Sequence, residues 1–112
     1  MQPDNLPAEE TLDPLDWKAN EKTGTEMVSD MMQFLQTVRS RATWQPPSDA
    51  AKSHFQMAVP LEGLPLEKVY DEFKQYILPF PTGNIHPRFW GWVMGNGSSS
   101  AMLADMLASG IN

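Results

Sequence analysis

Apolar side chains recur along this chain at three- and four-residue steps in two long stretches. Met27, Val28, Met31, Phe34, Leu35 and Val38 share one helical face. Leu66, Val69, Tyr70, Phe73, Tyr76 and Ile77 form a second stripe, with Glu67, Lys68, Asp71 and Lys74 turned away from it. The first pattern predicts a long helix, started by Asp13 as N-cap with Pro14 at its first position and closed near Arg39 and Arg41. Gly24 is a candidate bend or break in it, since glycine there costs about 1 kcal/mol relative to alanine. The second helix is expected to open near Pro65 and stop before Pro79 and Pro81. Residues 45–64 have weak periodicity and three prolines and read as a loop. Pro81-Thr-Gly-Asn84 reads as a turn.

Arg88 to Val93 is short, aromatic and extended in character. In such a segment Trp90 and Trp92 point one way, Phe89 and Gly91 the other. Gly95-Asn-Gly97-Ser-Ser-Ser100 follows as a loop, with Ser98 or Ser99 the cap of a last helix carrying Met102, Leu103, Met106 and Leu107. The expected fold class is therefore mainly α with one short extended aromatic segment. Two amphipathic helices and an aromatic strip do not close a core, so the remaining apolar faces are expected to be covered by other protein.

Composition narrows the function classes. The chain has 112 residues, no cysteine and a net charge of −6. Disulfides and thiolate metal sites are excluded, and the acidic balance argues against nucleic acid as a partner. Residues 1–26 hold seven acids against Lys18 and Lys22, a net of −5, as expected of a solvated leader. No apolar run approaches the roughly 20 residues of a membrane span, and the start lacks a signal-peptide pattern, so a cytoplasmic protein without membrane contact is expected.

The candidate chemistry is thin. Gly95-x-Gly97-x-x-Ser100 stands where a dinucleotide fingerprint would, but its third glycine is absent, and no lysine completes a P-loop. A bare anion site at the helix start is one reading; a loop whose small residues pass close under other chain is the other. His86, before a proline in a turn, reads as structural. His54 has no neighbour in sequence that suggests a role. No histidine or acidic cluster has metal-ligand spacing, and Ser98, Ser99 and Ser100 lack a nucleophile-elbow sequence. The methionines at 27, 31 and 32 read as interface filler.

Three ordered segments carry a family resemblance: Glu26-Met-Val-Ser-Asp-Met-Met; Val69-Tyr-Asp-Glu-Phe-Lys-Gln-Tyr-Ile-Leu-Pro; and His86-Pro-Arg-Phe-Trp-Gly followed by a Gly/Ser loop and Ala101-Met-Leu-Ala-Asp-Met-Leu107. Together they resemble the N-terminal segment of the group II pyridoxal-phosphate-dependent amino-acid decarboxylases, the aromatic-amino-acid and glutamate type. The resemblance covers roughly residues 15–112. It implies a parent of α/β fold, fold-type I, that acts as a homodimer on an amino acid with pyridoxal 5'-phosphate as cofactor. It divides the chain into an acidic tail over 1–14, a helical dimerisation segment over 15–84 and the start of the enzyme core over 85–112. Trp92, Val93, Met94 and Gly95 align with positions near the substrate pocket and are the substrate-wall candidates. Relatives acting on aromatic substrates carry Tyr-Phe-Pro-Thr there, so the substrate stays open.

In the family the cofactor lysine and phosphate cradle come later, and Lys52, Lys68 and Lys74 do not match that lysine. No catalytic, cofactor-binding or metal-binding residue is therefore expected in this chain, and none of the cofactor is expected to bind to it alone. Its expected partners are the remainder of the decarboxylase chain or a second copy. A stand-alone helical interaction module derived from such an enzyme is the alternative, and a small anion-binding domain on the Gly95–Ser100 loop a third reading.

Overall fold

Asp16, not Asp13, starts the first helix. Its carboxylate accepts the amide N–H groups of Lys18 and Ala19 at 2.9 and 3.1 Å, and α1 runs Trp17–Thr37 from there. Either aspartate can cap a helix. The earlier start would add a turn that packs on nothing, since Leu12 and Leu15 are fully exposed. In the computed structural model, which describes residues 11–93, 95 and 97–112, α1 passes through Gly24 without a break and tightens into a 3-10 turn over Val38–Ser40.

The expected loop over 45–64 contains a helix. Ser48 caps α2, Asp49–His54, by accepting the Ala51 N–H at 3.1 Å. Asp49 lies in its first turn and Lys52 and His54 in its last, the charge order that the helix dipole favours. α3, Leu66–Tyr76, follows Pro65 and ends as its stripe predicts, and α4, Ser99–Ile111, takes Ser98 as its cap.

α1 packs against α3. At one end Ala19 and Asn20 line a groove with Leu64 and Leu66. Midway, the Tyr70 hydroxyl donates to Asp30 at 2.5 Å and Lys74 reaches Glu26 at 2.7 Å. At the other end the Arg41 guanidinium donates to the Leu78 carbonyl and Gln45 to the Pro79 carbonyl, at 3.2 and 2.7 Å. The return path holds α2, which packs on α3 through His54. That ring stacks on Tyr76 with centroids 4.1 Å apart, and its Nε2 lies 3.2 Å from Glu72. His54 therefore has a packing role that its sequence neighbours do not reveal.

The closed part of the fold is small. Among the described residues Ala51 and Tyr70 are the buried hydrophobics. Every apolar residue of the α1 stripe is only partly covered, and α4 buries none of its residues.

No strand occurs among the described residues. The segment expected to be extended is a bend instead. Trp92 has φ 45°, in the left-handed region, which breaks the alternation of an extended chain. Phe89 and Trp92 consequently meet edge to face, with ring centroids 5.8 Å apart at 61°, rather than lying on opposite sides.

Candidate functional site

The end of α3 delivers the chain into two successive turns. The Ile77 and Leu78 amides both donate to the Phe73 carbonyl, and Pro79 and Pro81 prevent another helical turn. Gly83 then takes φ 79°, with its Cα so close to α1's exit that a Cβ would stand 1.9 Å from the Thr43 carbonyl oxygen. The His86 amide donates back to Gly83 and the Phe89 amide to His86, both at 2.9 Å.

These turns bury His86 beside the strand of chain leaving α1. Its Nδ1 accepts the Arg88 backbone N–H at 3.0 Å. An amide can only donate, so Nδ1 carries no proton in that contact. Nε2 faces the Arg41 carbonyl at 3.0 Å, and a carbonyl can only accept, so Nε2 carries the proton. The ring is thus the neutral Nε2-protonated tautomer, and the Thr43 hydroxyl, 3.3 Å from Nδ1, adds a third contact. His86 ties the turn before Pro87 to the chain leaving α1.

Beyond His86 residues 88–93 form a largely exposed arch. Gly97 and Ser99 line a shallow groove with Met32, Leu35, Val38 and Ile85. The substrate-wall candidates follow in and just after the arch. Trp92 is 77% and Val93 107% exposed, and Gly95 is also exposed; Met94 lies outside the described residues. Trp92, Val93 and Gly95 line none of the grooves described on this chain. Sequence reasoning missed Gly83 and the Arg41–Thr43 carbonyls as the frame of this arch. Pro81-Thr-Gly-Asn84 signals a turn, but not what the turn presses against.

A Schiff-base amine must shed its proton to react. Lys74 is instead held above its ordinary pKa, chiefly by its hydrogen bond to Glu26 and further by Asp71 at 3.3 Å, and it lies over the Tyr70 ring. Lys52 pairs with Asp49 on an open surface. Among the described residues no group of three His, Asp or Glu side chains could hold a metal ion. No helix among them is long and apolar enough to cross a membrane.

The chain matches no protein-family model. It is 26% identical over 99 residues to histidine decarboxylase of Drosophila melanogaster, an alignment covering 88% of this chain and 12% of that protein. Its fold superimposes on Catharanthus roseus tryptophan decarboxylase, solved in complex with L-tryptophan, with a TM-score of 0.66 at 20% identity. The chain is similar to the N-terminal segment of amino-acid decarboxylases. That is the resemblance carried by the His86-Pro-Arg-Phe and Ala101–Leu107 motifs. The superposition spans 90% of this chain but 22% of the solved one, so the chain corresponds to a small part of either relative.

Proposed function

We propose that this chain serves as the N-terminal part of a pyridoxal-phosphate-dependent amino-acid decarboxylase. Residues 15–84 supply dimer contacts, residues 85–112 begin the α/β core of fold-type I, and Trp92, Val93, Met94 and Gly95 form part of the substrate-pocket wall. The observation that carries the reading is the decarboxylase match over nearly the whole chain. The uncovered apolar surface supports it: Trp90, Trp92, Val93, Leu107 and Ile111 are all more than half exposed, as expected of faces that other protein covers. The parent reaction is loss of the α-carboxylate from an amino acid, for which the cofactor, when bound, supplies the electron sink. This chain's part is to bind and orient; no proton or electron step runs through its residues. The parent is read as a cytoplasmic homodimer without nucleic-acid or membrane partners.

The test is made on the protein isolated from its native source. Its intact mass is measured, pyridoxal phosphate released by acid is quantified, and carbon dioxide release is followed with histidine, tryptophan and other aromatic amino acids. A mass far above 12.6 kDa with stoichiometric cofactor and decarboxylation is expected. A cofactor-free protein near 12.6 kDa would overturn the proposal in favour of a helical interaction module derived from such an enzyme.

A further inference from the structure

We infer that His86 is a positioning residue that sets where Trp92 and Val93 stand relative to α1. The arch is tied at its near end to Arg41, just past α1, and beyond it Gly97 and Ser99 line a shallow groove with Met32, Leu35 and Val38. Trp90, Trp92 and Val93 are exposed, and the Phe89–Trp92 ring contact is internal to the arch. The near end therefore fixes the arch's starting direction.

That fixation is unusually complete. His86 is 6% exposed, and both ring nitrogens are satisfied by groups of opposite polarity: the Arg41 carbonyl, outside the arch, and the Arg88 amide, its second residue onward. One small side chain thus couples the helix exit to the backbone that leads into the aromatic residues. Gly83 closes the same joint from the other side by pressing its backbone against Thr43. The consequence for Trp92 as a wall residue rests on the pocket-wall reading above; the coupling of His86 to the arch does not.

The two contacts can be separated. Asparagine at 86 can still accept the Arg88 amide, the two-residues-on bond that favours Asn in turns, but it is too short to reach the Arg41 carbonyl. His86→Ala removes both. Hydrogen exchange read by mass spectrometry on the native protein and both variants is the first measurement. If the tie to Arg41 positions the arch, exchange at the hydrogen-bonded Arg88 and Phe89 amides speeds up about fivefold in His86→Asn, which loses one net hydrogen bond, and further in His86→Ala, which loses two, while peptides of α3 are unchanged. KM for the amino-acid substrate rises by the factor by which the competent arrangement is depopulated, at most about fivefold in His86→Asn, and kcat is held. A residue needed only for folding gives the opposite split: less active protein, unchanged KM and faster exchange in α3 as well. Full recovery in His86→Asn would reduce His86 to a turn former and overturn the inference; faster exchange at Arg88 and Phe89 with unchanged KM would keep the coupling and sink its consequence for the pocket wall. If the native protein decarboxylates nothing, the pocket-wall reading fails, and the exchange pattern alone still decides the coupling. Should His86→Ala fail to fold, His86→Asn keeps the test.

Discussion

Replacing Gly83 by alanine tests the joint between α1 and the arch at its tightest point. Two costs arise together. At φ 79° a residue with a Cβ sits in the left-handed region, at about 1–2 kcal/mol. The new Cβ would also stand 1.9 Å from the Thr43 carbonyl oxygen and 3.0 Å from its carbon, both backbone atoms. Ordinary contact is about 3.5 Å, so one strand of chain must retreat by roughly 1.5 Å. Retreat strains the Arg41 carbonyl bond to His86 nearby, and overpacking of this kind costs about 1–3 kcal/mol. The sum is a loss of about 2–5 kcal/mol, read as a fall of roughly 1–2 M in the urea midpoint of the far-ultraviolet circular dichroism. Gly83→Asn divides the sum. Asparagine tolerates the left-handed conformation but keeps the Cβ, so it should still lose about 1–3 kcal/mol. If both variants unfold within about 0.5 kcal/mol of the parent, the contact with Thr43 is not tight and the argument fails.

Gly24→Ala should act oppositely: nothing lies within 4 Å of the new methyl in the middle of α1, so stability should rise by about 0.5–1 kcal/mol in the same titration. Tyr70→Phe should cost roughly 1–3 kcal/mol by leaving the Asp30 carboxylate without its phenol donor, measured by the same midpoint shift. Tyr70 also sets an alkaline limit. Its hydroxyl is pushed up to about 12, first by burial and then by the hydrogen bond to Asp30, so the fold favours the neutral phenol. That contribution is fully present below the unfolded value near 10 and is lost as pH rises through about 12; an alkaline titration of stability should show the loss, and Tyr70→Phe should flatten it. Ser98→Ala should fray the first turn of α4 by about 1 kcal/mol, visible as faster amide exchange at Ala101.

What the residue pattern disclosed, and what it hid, divides by range. α3 and α4 were legible because their stripes, prolines and cap lie within a few residues of one another. The start of α1 was not, because Asp13 and Asp16 are equally good caps and only the absence of packing partners for Leu12 and Leu15 decides between them. α2 is too short for periodicity to announce, and the prolines around it pointed to a loop; Ser48 followed by Asp49 and Lys52 was the available signal. The bonds that fix α1 on α3, Asp30 to Tyr70 and Glu26 to Lys74, join residues 40 and 48 positions apart and leave no local trace.

The aromatic strip shows the limit most clearly. Trp90-x-Trp92 has the alternation of a strand, yet alternation yields a strand only where a neighbouring backbone takes up the free N–H and C=O groups. No strand among the described residues does so here. The segment instead bends at Gly91, where even a Cβ would touch the Phe89 ring at 3.0 Å, and Trp92 turns left-handed beyond it. The local sequence thus names the residues of a candidate wall, while their direction is set by a histidine whose partner lies 45 positions earlier in the chain. For this chain, the chemistry that positions the arch is read from His86 and Gly83.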